Sequence, residues 1–143
     1  MSIFDRLRSG LTTSSAAETH EVATAFGQML PKDSQLALNG DLGSGKTTFV
    51  QGLARAWSID DPITSPTFNI VNIYRGSRTL VHVDAYRLDR PADMDALMVE
   101  DFLNSPYCLA VEWPEHTGDW LSQDHLTVRL VLMPDGRHSL TLM

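Results

Sequence analysis

The stretch "GDLGSGKTTF", residues 40 to 49, places Gly40, Gly45, Lys46 and Thr47 at the spacing G-x-x-x-x-G-K-[ST]. Glycines in such a loop let the backbone turn tightly and aim successive N–H groups at phosphate oxygens. A helix beginning there presents its positive N-terminal end to the same anion. In this pattern Lys46 reaches the β- and γ-phosphates, and Thr47 puts its hydroxyl on Mg2+. The expected phosphate-binding residues are therefore Asp41, Leu42, Gly43, Ser44, Gly45, Lys46, Thr47 and Thr48. The loop alone leaves open whether the phosphate is cleaved, transferred or held as a switch.

Two apolar runs each end in a carboxylate, "TLVHVD" at Asp84 and "YCLAVE" at Glu112. Ligands of parallel α/β sheets sit beyond the carboxyl ends of the strands, where Mg2+ finds oxygen ligands. One of these acids is expected to hold the metal, directly or through its waters, and the other to orient or deprotonate the attacking water. Residue types do not say which does which. In "TSPTFN", residues 64 to 69, Thr64, Ser65 and Thr67 set three hydroxyls around Pro66, which stiffens the loop. Loops of this kind close over a γ-phosphate and relax on hydrolysis, so Thr67 joins the candidate catalytic set of Lys46, Asp84 and Glu112. Trp113 follows Glu112 in "EWPE" and suits either stacking on a base or packing beneath the site. Arg75, Arg87 and Arg90 are candidate γ-phosphate contacts. His82 lies two residues before Asp84 on the same strand face, a placement suited to positioning that acid. The five histidines show no metal spacing, and Cys108 reads as a small buried hydrophobe.

These residues need elements to hold them. Ser15-Ala16-Ala17-Glu18 reads as a capping box, and Val22, Phe26, Met29 and Leu30 then recur at helical spacing. A helix from about Ser15 to Leu30 follows, ended near Pro31. Gln35 to Asn39 is a short strand running into the Gly-rich loop. From Gly45 onward, Phe49, Val50, Leu53 and Trp57 mark one helical face. The loop thus lies between a strand and a helix, the context it requires. The two acid-tipped runs read as buried strands of a mostly parallel sheet. Between them Met94, Leu97, Met98 and Phe102 define a helix opened by Pro91. "FNIVNIY" alternates as a further strand. The C-terminal stretch alternates at Leu126, Val128, Leu130 and Leu132, turns at Pro134-Asp135-Gly136 and resumes at Leu140 and Leu142, an antiparallel hairpin expected at the sheet edge. The expected fold is a three-layer α/β domain with a mixed, mostly parallel central sheet.

A chain of 143 residues makes one domain, 1–143, the expectation. No linker, repeat or low-complexity tract interrupts it. The net charge of −7 argues against stable binding to RNA or DNA without a partner. Only two lysines are present, Lys32 and Lys46, and the nine arginines are scattered. A single cysteine excludes an internal disulfide and suits a reducing cytoplasm. The N-terminus shows no apolar core of a signal peptide, and no apolar run approaches the roughly 18 residues of a membrane span.

Taken in order, "GDLGSGKTTFVQGLARAW", "SPTFNIVNIY", "HVDAYRL" and "VEWPE" closely resemble the TsaE (YjeE) family of ATPases of bacterial tRNA threonylcarbamoyladenosine biosynthesis. The likeness spans about residues 35 to 115; Ala85 stands where a larger residue is common. The resemblance implies a P-loop fold that binds ATP and ADP with Mg2+ and hydrolyses ATP slowly by itself. It implies action on a complex of the TsaB and TsaD proteins, which transfers a threonylcarbamoyl group to an adenosine beside the tRNA anticodon. In the family's pattern Thr47 matches the loop Mg2+ ligand, Thr64 to Thr67 the first switch, Asp84 the second acidic motif and Glu112 a metal or catalytic acid, with Trp113 beside the nucleotide. Two other readings use the same loop: a nucleotide-gated binding module with negligible turnover, and a small P-loop kinase. The dispersed arginines and short chain leave little room for a kinase lid.

Overall fold

The computed structural model of the protein describes residues 1–64 and 70–143. The capping residue expected for the first long helix does its work: Ser15 accepts a hydrogen bond from Glu18 N–H at 3.1 Å and starts α2 (Ala16–Met29). The reciprocal half of the box differs, because the Glu18 carboxylate accepts from Ser14 N–H instead of Ser15. Leu30 is extended, as the residue before a proline should be, and ends the helix.

Strand β2 (Ser34–Asn39) follows and leads through the Gly-rich loop into α3 (Lys46–Ala56). Helices α2 and α3 cross closely. A Cβ added at Gly52 would lie 2.5 Å from Ala23 Cβ and 2.7 Å from the His20 carbonyl oxygen, so only glycine fits. Thr24 ties the crossing by donating to the Gly52 carbonyl at 2.9 Å. The indole of Trp57 donates to the Gly27 carbonyl at 3.2 Å and closes the C-terminal end of α3 onto α2.

Among the described residues seven strands form one sheet, with β1 (Leu11–Thr13), β3 (Val71–Arg75), β4 (Thr79–Asp84), β5 (Tyr107–Glu112), β6 (Leu126–Leu132) and β7 (His138–Leu142) joining β2. The spatial order is β1-β7-β6-β2-β5-β4-β3. The central strands β6, β2, β5 and β4 run parallel. The hairpin of β6 and β7 is antiparallel, as is the pair of β3 and β4. The hairpin does not form the edge, because β1 pairs antiparallel with β7 outside it. A three-residue strand is too short to show alternation, so its pattern is silent. It is preceded by α1 (Ile3–Ser9), which is capped by Ser2 and Asp5 and buries Leu7.

Alternation along the strands sends residues to two cores. Leu36, Leu38, Leu80, Cys108 and Ala110 pack under the layer that holds α1, α2 and α3. Val81, Val83, Leu109 and Val111 face the other way, against Ala85, Leu88, Met94 and Val99. That third layer is thin. The helix expected over Met94 to Phe102 is instead one turn, α4 (Asp93–Ala96), and a separate 3-10 turn over Val99–Phe102. Met98 between them is left-handed, at φ 53°, and exposed. The break lets Val99 take the buried place beside Met94 that an unbroken helix would have given to Met98. Burial pushes the Cys108 thiol up to about 12, so it packs as a hydrophobe. Among the described residues no helix is long and apolar enough to cross a membrane.

The α2–α3 crossing makes a direct prediction. Gly52→Val should destabilise the fold by the upper part of the about 1–3 kcal/mol typical of overpacking, read from the urea midpoint of unfolding.

Candidate functional site

The two acids meet because their strands are neighbours. In the parallel register Asp84 on β4 lies opposite Glu112 on β5, and Glu112 lies opposite Leu38 on β2, just before the Gly-rich loop. Loop, helix start and both strand ends thus open on one cleft of about 580 Å3, a volume in the range of small-molecule sites. Asp41, Leu42, Gly43, Ser44, Gly45, Lys46, Thr47, Thr48, Asp84, Glu112 and Trp113 all line it.

The loop is built for donors. Gly45 is left-handed at φ 101°, a conformation that costs a side-chain-bearing residue energy, and it caps α3 with no side-chain hydrogen bond. The first N–H groups of α3 therefore have no side-chain cap, leaving the helix start suited to an anion. Ser44 Oγ is buried with no hydrogen-bond partner among the described residues, one more polar group that the loop does not satisfy internally.

Lys46 bends back over its own loop. Its ammonium donates to the Gly40 carbonyl and, at 3.1 Å, to that of Asp41. It also lies 4.1 Å from the centroid of the Trp113 ring, a cation–π contact. Burial lowers its pKa, and the negative charges of Glu112, Asp84, Glu115 and Asp41 act in the opposite direction. A phosphate oxygen would give this ammonium a charge-assisted bond stronger than those to the carbonyls. Trp113 reaches the lysine because its own backbone is left-handed, at φ 58°, which turns the chain sharply out of β5. Tyr86 packs on the indole at 5.0 Å between ring centroids, and His116 stacks at 6.0 Å.

Glu112 is only 4% exposed. Its Oε2 accepts from the Thr47 hydroxyl at 3.3 Å and from His82 Nε2 at 2.5 Å. The fully buried His82 therefore supports Glu112, whereas residue spacing had pointed to Asp84. Asp84 accepts from Tyr86 N–H at 3.0 Å, which caps the 3-10 turn that follows β4.

Of the three candidate arginines, Arg87 lines the cleft. Arg75 lies at the opposite end of the sheet, paired in register with Thr79 where β4 begins. Arg90 makes an exposed pair with Asp93 at 3.4 Å. Thr64 is exposed and absent from the cleft lining, while Ser65 to Asn69, including Thr67, lie outside the described residues. Ile70, Tyr86 and His138 line the cleft without having been anticipated. Tyr86 sits two residues after Asp84, so a strand-end turn was its signal. His138 had none: it belongs to β7, yet its Nδ1–H donates to the Ser44 carbonyl at 2.8 Å.

A central parallel sheet, a Gly-rich loop between β2 and α3, and acids closing the neighbouring strands define the fold of the P-loop nucleoside triphosphatases. The family profile described as threonylcarbamoyl adenosine biosynthesis protein TsaE matches residues 13–138, and the chain belongs to that family. It is 34% identical over 128 residues to the tRNA threonylcarbamoyladenosine biosynthesis protein TsaE of Treponema pallidum, covering 90% of this chain and 95% of the relative. Identity to the protein of that name from Mycobacterium tuberculosis is 36% over 141 residues, covering 87% and 83%. The crystal structure of Bacillus subtilis YdiB superposes with a TM-score of 0.76 at 30% identity, covering 93% of this chain and 82% of that one.

His138 offers a test of how the loop is held. His138→Ala removes one hydrogen bond of about 0.5–1.5 kcal/mol, so exchange of the hydrogen-bonded Ser44 and Phe49 amides should accelerate by roughly 2- to 10-fold while exchange in β2 and β5 stays unchanged.

Proposed function

We propose that the cleft binds ATP with Mg2+ and hydrolyses it slowly, and that partner proteins govern the turnover. The observation that carries this reading is the convergence of Lys46, Thr47, Asp84 and Glu112 on one cleft at the start of α3. The donor set fits the metal. A threonine hydroxyl already bonded to a buried carboxylate supplies the hard oxygen ligands that Mg2+ takes, so Thr47 and Glu112 would hold it. When bound, Mg2+ supplies positive charge against the phosphate oxygens.

Glu112 is joined to Thr47, and its strand is next to the loop strand; Asp84 lies one strand further out. This favours Glu112 as the metal-holding acid and Asp84 as the group that orients the water and takes its proton. Water attacks the γ-phosphorus, its oxygen–phosphorus bond forms, and the bond to the β–γ bridging oxygen breaks to leave ADP and phosphate. Lys46 exchanges the carbonyls of Gly40 and Asp41 for the phosphates. Backbone N–H groups of Gly43 to Thr48 and the hydroxyl of Thr48 complete the phosphate cradle, with Asp41 and Leu42 at its rim and Trp113 beside the nucleotide. Thr67 stays in the proposed catalytic set on its sequence position.

The family's described role in threonylcarbamoyl adenosine biosynthesis supports a partner complex of the TsaB and TsaD proteins as the target of this ATPase. The net charge of −7 fits tRNA contacts made by those partners. The single, buried cysteine fits work in the reducing cytoplasm.

The deciding experiment is ATP hydrolysis with Mg2+, alone and with TsaB and TsaD added. Turnover should be slow alone and strongly stimulated by the partners; tight ATP binding with no turnover in either condition would make the chain a nucleotide-gated module. Lys46→Ala should abolish ATP binding in calorimetry, and unchanged affinity would sink the loop assignment. Asp84→Asn should bind ATP within a few-fold of the native chain but lower kcat by about 10²–10⁴, the range for loss of a general base.

A further inference from the structure

His82 is fully buried behind the cleft, bonded to the lining residue Glu112, and the proposed chemistry leaves it unused. It sits on β4 and reaches sideways across the sheet to Glu112 on β5, with Nε2 2.5 Å from Oε2. The same oxygen accepts from Thr47 on α3. Glu112 is thus gripped from a neighbouring strand and from the loop helix, and its flexible side chain is held in one orientation. A carboxylate oxygen accepts, so Nε2 carries the hydrogen and Nδ1 is the ring's other polar atom. Among the described residues nothing bonds to that Nδ1. An unpaired polar nitrogen in a dry interior is unfavourable, and a leucine of similar size would escape the penalty. What the imidazole contributes in return is its bond to Glu112.

We propose that His82 is a positioning residue that orients the Glu112 carboxylate against Thr47 and thereby sets the affinity of the cleft for Mg2+. The inference rests on the reading above that Thr47 and Glu112 hold the metal. Groups that orient a ligating carboxylate typically change metal affinity 10- to 100-fold when removed. A histidine that only fills space beside Glu112 would leave the metal requirement alone.

The test is ADP binding by calorimetry over a Mg2+ titration, for the native chain, His82→Leu, His82→Gln and Glu112→Gln. His82→Leu should keep Mg2+-free ADP affinity within about two-fold and raise the Mg2+ concentration for half-maximal effect about 10- to 100-fold. His82→Gln, whose amide N–H can still donate to Glu112, should recover most of the loss. An unchanged Mg2+ requirement in His82→Leu, with Glu112→Gln losing it, overturns the positioning role alone. An unchanged requirement in Glu112→Gln as well overturns the metal assignment on which the role rests. If His82→Leu fails to fold, His82→Gln against His82→Asn decides: the shorter amide should lose Mg2+ affinity where the longer keeps it, and equal values overturn the proposal.

Discussion

A carboxylate buried at the end of a central strand must be paired, and the site is arranged around meeting that demand for Glu112. The hydroxyl of Thr47 and the imidazole of His82 both donate to Oε2, which ties α3 and β4 to the tip of β5. Removing a group like this from water is tolerable only with such partners. The arrangement places a hard anionic oxygen beneath a loop whose backbone and lysine are suited to phosphate. One carboxylate therefore joins the Gly-rich loop and helix start on one side of the cleft to the strand ends on the other.

The helix that starts the site is itself set by packing far from it. α3 carries Lys46 and Thr47 at its first turn, and its middle is pressed against α2 at Gly52, where no Cβ fits. Trp57 closes the far end of the same helix through the Gly27 carbonyl. Because interiors are close-packed, the position of the helix start follows from these contacts. His138 adds a restraint from the opposite side of the loop, holding the Ser44 carbonyl from β7. The loop is thereby fixed between the helix layer and the C-terminal hairpin.

The cation of the cleft is held by its own loop. Lys46 rests on two loop carbonyls and the face of Trp113, in a setting whose burial lowers its pKa. Trp113 can cover it only because the chain leaves β5 through a left-handed residue, a conformation costing roughly 1–2 kcal/mol outside glycine. Strain of that kind gathers at functional sites, and here it stands directly after Glu112. Tyr86 and His116 extend the same aromatic surface toward the strand end that carries Asp84.

Local chemistry made much of this protein legible from its residues. The spacing of Gly40, Gly45, Lys46 and Thr47 specifies a loop that only a strand and a helix can flank, and both are present. Apolar runs closing in Asp84 and Glu112 specify strands whose ends open on the cleft, and the parallel register sets those ends side by side. Ser15 determined a helix start through a bond to a residue three positions away. What the chain alone did not determine rests on partners distant in sequence. The three-residue β1 exists because β7 offers it a pairing edge, and the expected helix through Met98 breaks because Val99 has the better place in the core. The partner of His82 was decided by sheet order, which sets β5 beside β4 and brings Glu112 closer to the imidazole than spacing along one strand suggests. His138 reaches the Gly-rich loop across 94 positions, a contact that no local pattern encodes because only the assembled sheet brings β7 there.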